Sequence, residues 1–113
     1  MTKIIAIDLD GVLNMYDGKY DENYIPLMRA GADKFLSDLT NEYDIEIFTV
    51  RNKELDEKWL KENNLFRYVK NITDKKNPRT TLFIDDRALN FNGDFSDVLC
   101  EIKNFVPHWK KKK

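Results

Sequence analysis

The feature that most constrains this chain is its opening apolar run, Lys3 to Leu9, where Ile4, Ile5, Ala6 and Ile7 leave neither face of a strand polar. A strand that is apolar on both faces belongs inside a sheet covered on both sides, which favours a parallel sheet. The run leads directly into Asp8-Leu9-Asp10-Gly11-Val12-Leu13. Far along the chain a second apolar run, Leu82-Phe83-Ile84, leads into Asp85-Asp86 in the same way. Parallel strands bring both acid pairs to one edge. Carboxylates crowded there repel one another, and a divalent cation such as Mg2+, which takes oxygen ligands, offsets that repulsion.

Four segments read as strands: Lys3 to Leu9, Asp44 to Val50, Tyr68 to Ile72 and Thr81 to Asp85. Each is short and rich in Ile, Val, Phe, Tyr or Leu. Helical patterns lie between them. Ala32, Phe35, Leu36 and Leu39 follow the i, i+3, i+4, i+7 rule behind Gly31, and Leu55, Trp59 and Leu60 anchor a second helix over Lys53 to Asn63. A third is expected after Gly93, with Asp94 as its N-cap and Phe95, Val98, Leu99 and Ile102 on its apolar face. Alternating strands and helices predict an α/β fold with a doubly wound parallel sheet, whose ligands gather at the carboxyl ends of the strands.

With 113 residues the chain is expected to form a single domain over 1–113, large enough for a core without disulfides or structural zinc. Its charges nearly cancel, to a net −1, so bulk charge points to no polyanionic partner. Only Lys110 to Lys113 is locally basic, read first as a solvated terminus and second as a weak phosphate or nucleic-acid contact. Cys100 is the sole cysteine, which excludes an internal disulfide, fits a reducing compartment and is expected to pack in the core. The first apolar stretch is too short for a signal peptide or a membrane span. A cytoplasmic protein, monomeric or a small homo-oligomer, is the expectation.

Asp8 and Asp10 emerge at the carboxyl edge of the sheet while Gly11 lets the backbone turn away. One such carboxylate suits nucleophilic attack on phosphorus; the other suits protonating a leaving oxygen and then activating water. As a bare pair they would more simply cap a turn. Thr49 closes the second strand, where its hydroxyl could donate to a phosphoryl oxygen, although a lone strand-end threonine is usually only a good β-former. Lys75 and Lys76 follow the third strand and supply a cation for phosphate. Asp85 and Asp86 offer a metal ligand and a supporting acid, with Arg87 as a partner for either. Arg51 is placed equally well to bridge an acid or contact substrate, and His108, Trp109 and Phe105 read as structural, the last two over an edge of the core. The long connection from Asn14 to Ala30, with Tyr16, Tyr20 and Tyr24, reads as a flap beside the site.

Together these motifs resemble, in order, those of the haloacid dehalogenase superfamily of phosphohydrolases. Asp8-Leu9-Asp10-Gly11-Val12-Leu13, Ile47-Phe48-Thr49, the Lys75-Lys76 neighbourhood and Phe83-Ile84-Asp85-Asp86 are similar to its four motifs. Phe83 to Ala88, Phe91, Gly93-Asp94 and Pro107-His108-Trp109 resemble a group of small bacterial and phage hydrolases that lack a cap domain. The resemblance implies Asp8 as nucleophile through an aspartyl-phosphate, Asp10 as general acid and base, and Thr49 with one lysine, Lys76 or in its place Lys75, holding the phosphoryl group. It also implies Mg2+ held by Asp8, the Asp10 carbonyl and Asp85, with Asp86 beside them. One departure stands out: the group places its lysine directly before a proline, whereas Asn77 precedes Pro78 here.

The expected function is a Mg2+-dependent phosphomonoesterase with an open site, its phosphorylated substrate unspecified and nucleic-acid ends among the candidates. A receiver-like phosphoacceptor domain is the rival from signalling, but it would carry its acceptor on the third strand. A catalytically silent module that binds a phosphorylated ligand is the other alternative.

Overall fold

The computed structural model describes residues 3–110, so Lys111 to Lys113 of the basic run lie outside the described residues. Four strands, β1 (Lys3–Asp8), β2 (Tyr43–Phe48), β3 (Val69–Thr73) and β4 (Thr80–Ile84), form an all-parallel sheet in the order β3-β2-β1-β4. Helices α1 (Ala32–Leu39), α2 (Lys53–Glu62) and α3 (Phe95–Asn104) flank it. The architecture is the α/β parallel fold expected. Element bounds differ from expectation by one or two residues, and Thr49 and Asp85 fall just beyond their strands rather than within them.

The chain moves outward from β1 to β2 to β3 and then returns to the other side of β1 to lay down β4. That reversal opens a crevice between the carboxyl ends of β1 and β4, where ligands of such sheets bind. Right-handed crossovers in one direction put α1 and α2 on the same face. Register places Ile5, Ile7, Ile45, Ile47 and Ile72 together, and they pack in one core with Leu36, Trp59, Leu60 and Leu65. Fully burying each such side chain is worth about 1.5–3 kcal/mol. Local chemistry sets the helix ends: Asn52 Oδ1 accepts from the Glu54 and Leu55 amides at 2.8 and 3.3 Å, and Asp94 accepts from Ser96 and Asp97.

The connection from β3 to β4, residues 74–79, contains no helix. Asn77 from this connection reaches the sheet's second face and donates to the buried Glu46 at 3.3 Å. The third helix departs from expectation. Its capping is as predicted, but Phe95, Leu99 and Ile102 are 78, 63 and 56% exposed, and Cys100, expected in the core, is exposed with them. Helical spacing creates an apolar stripe; burying it requires a surface to pack on, and β4 is an outer strand with Leu82 and Phe83 themselves exposed. Among the described residues no helix is long and apolar enough to cross a membrane.

Candidate functional site

β1 delivers Asp8 to the sheet edge, and the chain then makes one wide turn, Leu9–Leu13, closed by the Asn14 amide on the Leu9 carbonyl at 3.3 Å. Gly11 sits in this turn at φ +86°, a left-handed conformation that a Cβ would strain. A Cβ there would also collide with the Asp86 carboxylate. The sharp turn and the second acid pair are therefore packed against each other, and Gly11 is what permits it.

Asp8, Asp10, Thr49, Asp85 and Asp86 line one cavity of about 380 Å3 with Tyr16, Tyr20, Phe48 and Arg87. Oxygens of Asp8, Asp85 and Asp86 all lie within 4.8 Å of one another. Burial pushes the Asp8 carboxyl up to about 8, helped by a hydrogen bond with Asp86 and the charges of Asp85, Asp86 and Asp10. Burial acts upward on Asp86 too, but the indole N–H of Trp109 and the neighbouring Asp8 and Asp85 carboxyls hold it below the ordinary carboxylate value. Asp86 Oδ1 is buried with no hydrogen-bond partner. Hard oxygen donors, crowded charge and an orphaned carboxylate oxygen together fit a divalent cation in the crevice.

Asp10 faces a different environment. Its Oδ2 accepts from Arg51 Nε at 3.0 Å, and its Oδ1 accepts from Arg51 Nη2 at 3.1 Å and from Asn14 Nδ2 at 3.0 Å. This is a forked guanidinium–carboxylate pair, the strong form of such contacts. Arg51 is itself buried, donating to the Asp21 carbonyl at 2.7 Å and lying 4.6 Å from the Tyr20 ring centroid. Of the two roles the sequence left open, Arg51 takes the bridge to an acid. The Asp10 carboxylate stands outside the metal-suited trio.

Thr49 is buried, and its Oγ1 accepts from the Arg51 amide at 3.2 Å. With an acceptor position used, the hydroxyl proton is free to donate into the cavity. Lys76 lines the adjoining hollow with Asp8, Phe48, Phe83 and Asp85, its Nζ 5.4 Å from the Phe83 ring centroid. Lys75 points elsewhere, lining a separate cavity with Thr49, Arg51, Lys53, Asp56 and Asp74. There Asp56 is wholly buried with neither oxygen partnered, and burial pushes its carboxyl up to about 6 against the pull of Arg51. Arg87 corrects its expectation: its backbone amide, not its guanidinium, meets Asp85 Oδ1 at 2.9 Å.

Several site residues carried no usable sequence signal. Asn14 is fully buried and binds Asp10, the Gly11 amide and the Tyr16 amide. Arg29 donates to the carbonyls of Val12, Gly11 and Asn14 across the base of the flap, where Asn14 and Met28 pair antiparallel. Tyr16 and Tyr20 line the cavity as expected, but Tyr24 is 56% exposed and does not. Trp109, expected over an edge of the core, instead donates its indole N–H to Asp86 Oδ2.

Fold and site thus define an α/β protein with a carboxylate-rich, cation-suited crevice at the carboxyl edge of a parallel sheet. No family model matches the chain, and no curated protein does. A solved structure described as the conserved protein coded by a locus of Bacteroides thetaiotaomicron is similar to it, with a TM-score of 0.59 and 24% identity over 92% of each chain. That likeness is one of fold.

Proposed function

We propose that the chain is a Mg2+-dependent phosphomonoesterase of the haloacid dehalogenase type. The observation that carries this reading is the juxtaposition of Asp8 with Asp85 and Asp86 in one crevice, beside a separately held Asp10. A carboxylate with raised proton affinity among other acids is a strained anion, and its nucleophilicity becomes useful once a cation offsets the crowding. A bound Mg2+ would supply charge neutralisation for the attacking carboxylate and the phosphoryl oxygens, held by Asp8, Asp85, Asp86 and the Asp10 carbonyl.

In this mechanism an Asp8 oxygen attacks phosphorus, and the leaving oxygen takes a proton from Asp10. Asp10 then removes a proton from the water that cleaves the acyl phosphate, which restores both carboxyls. The Thr49 hydroxyl and the Lys76 ammonium hold the phosphoryl oxygens as negative charge builds in the transition state. Tyr16 and Tyr20 line the side from which a leaving group departs.

The direct test is phosphate release from a panel of phosphomonoesters, starting with an aryl phosphate. Release should require Mg2+ and stop on addition of EDTA; metal-independent turnover would overturn the reading. The two lysines offer a finer test. Lys76→Ala should lower the rate by about 10² or more, by analogy with removing a preorganised donor. Lys75→Ala, in the neighbouring cavity, should leave it nearly unchanged. The reverse ranking would transfer the role to Lys75.

A further inference from the structure

The carboxyl-terminal turn His108–Lys110 touches three parts of the site at once. Trp109 donates its indole N–H to Asp86 Oδ2, and His108 Nε2 hydrogen-bonds the Gly11 carbonyl across 97 residues of chain. The Trp109 ring also meets Tyr16 of the flap edge to face, with centroids 5.2 Å apart at 79°. Gly18, at φ +102°, completes the seat: a Cβ there would lie 2.8 Å from the same ring. A large aromatic residue is thus placed between the flap, the turn after β1 and the acids after β4.

We propose that this turn is a latch on the cation site, in which Trp109 is a positioning residue that fixes Asp86 through Oδ2, the oxygen that faces the Gly11 turn. Asp86 has two oxygens with opposite situations. Oδ2 is taken by the indole, while Oδ1 is buried and has no partner. A carboxylate free to rotate would exchange them and turn its unsatisfied oxygen to water. An N–H fixed on one oxygen prevents that rotation and leaves the other among the acids of the crevice. Hydrogen bonds of this kind to ligating groups orient them, and their loss typically costs 10–100-fold in metal affinity or activity. The ring has a second role. Its contacts with Tyr16 and Gly18 tie the flap to the same carboxylate, so loss of the side chain loosens both.

The proposal rests on the cation-site reading above, and a binding measurement separates the two. Mn2+ uptake by the full chain, followed by electron paramagnetic resonance of the free ion, reads affinity without substrate. Trp109→Phe keeps an aromatic side chain but removes the N–H, and should weaken Mn2+ binding about tenfold while the protein still unfolds cooperatively. Gly18→Ala touches no acid but crowds the ring from the flap, and should weaken binding in the same direction. Trp109→Ala should also speed hydrogen exchange at the Tyr16 amide, which the flap base protects through Asn14. If wild type binds Mn2+ and both Trp109→Phe and Gly18→Ala bind it equally tightly, the latch is wrong while the cation site stands. If wild type binds none, the cation site fails and the latch with it.

Discussion

Asp8→Asn should abolish phosphate release while leaving the sheet intact. Amide and carboxylate have nearly the same shape, and Asp8 sits at the end of β1 where its backbone pairs with Phe48 in the sheet register. The amide cannot attack phosphorus, so no other group can replace the lost step. The metal-free variant should also differ from wild type in how its stability follows pH. The folded Asp8 carboxyl titrates near 8 and the unfolded one near 3.8, so the folded state holds more protons between these values. Wild type therefore loses stability as pH rises through this window, and the loss is complete above the folded value. Asp8→Asn lacks that dependence. At pH 8 in EDTA it should be more stable than wild type, on the order of 2 kcal/mol after allowing for solvent screening at this partly exposed site. Urea denaturation at pH 5 and pH 8 checks the sign. Full turnover in the variant would remove Asp8 as nucleophile.

Asp10→Asn should slow turnover by about 10² to 10⁴ on substrates with poor leaving groups, the usual worth of general acid–base assistance. Activated aryl phosphates need less protonation and should suffer less. The structure adds a condition. Arg51 and Asn14 engage Oδ1 twice and Oδ2 once, so the proton is carried on the lone pair of Oδ2 that they leave open. Arg51 Nε on Oδ2 and Asn14 Nδ2 on Oδ1 hold the side chain in one orientation, which an asparagine would not accept from the same donors on its NH2 side. Comparing kcat on two substrates of unlike leaving group is the measurement. Equal slowing on both would mean that Asp10 shapes the turn instead of moving protons.

Much of the site was legible because its key residues lie at ends of regular elements. Asp8 and Asp85 follow apolar strands, and Thr49 follows another; alternation and apolar runs locate such ends from neighbours alone. The same locality explains why the cap at Asp94 could be read in advance, since its carboxylate accepts from amides two and three residues away; Gly31 marks the entrance of α1 through its left-handed backbone instead. Lys75 and Lys76 are adjacent and chemically alike, so no local pattern separates them; the loop carries Lys76 to the hollow beside Asp8 and Asp85 and Lys75 to the one beside Asp56.

By itself, then, the amino-acid sequence determined the strands, the helices with the cap at Asp94, the parallel habit of the sheet and the gathering of acids at its carboxyl edge. These depend on side-chain periodicity and on hydrogen bonds within a few residues. Only the tertiary structure decided which groups meet. Arg51 pairs with Asp10 across 41 residues, and His108 reaches Gly11 across 97. It also decided that the apolar face of α3 and Cys100 stay exposed, because burial depends on what surface lies opposite, and the outer strand β4 offers that face little to cover it. Contacts of this range depend on where the chain path carries each segment, and no local pattern encodes that.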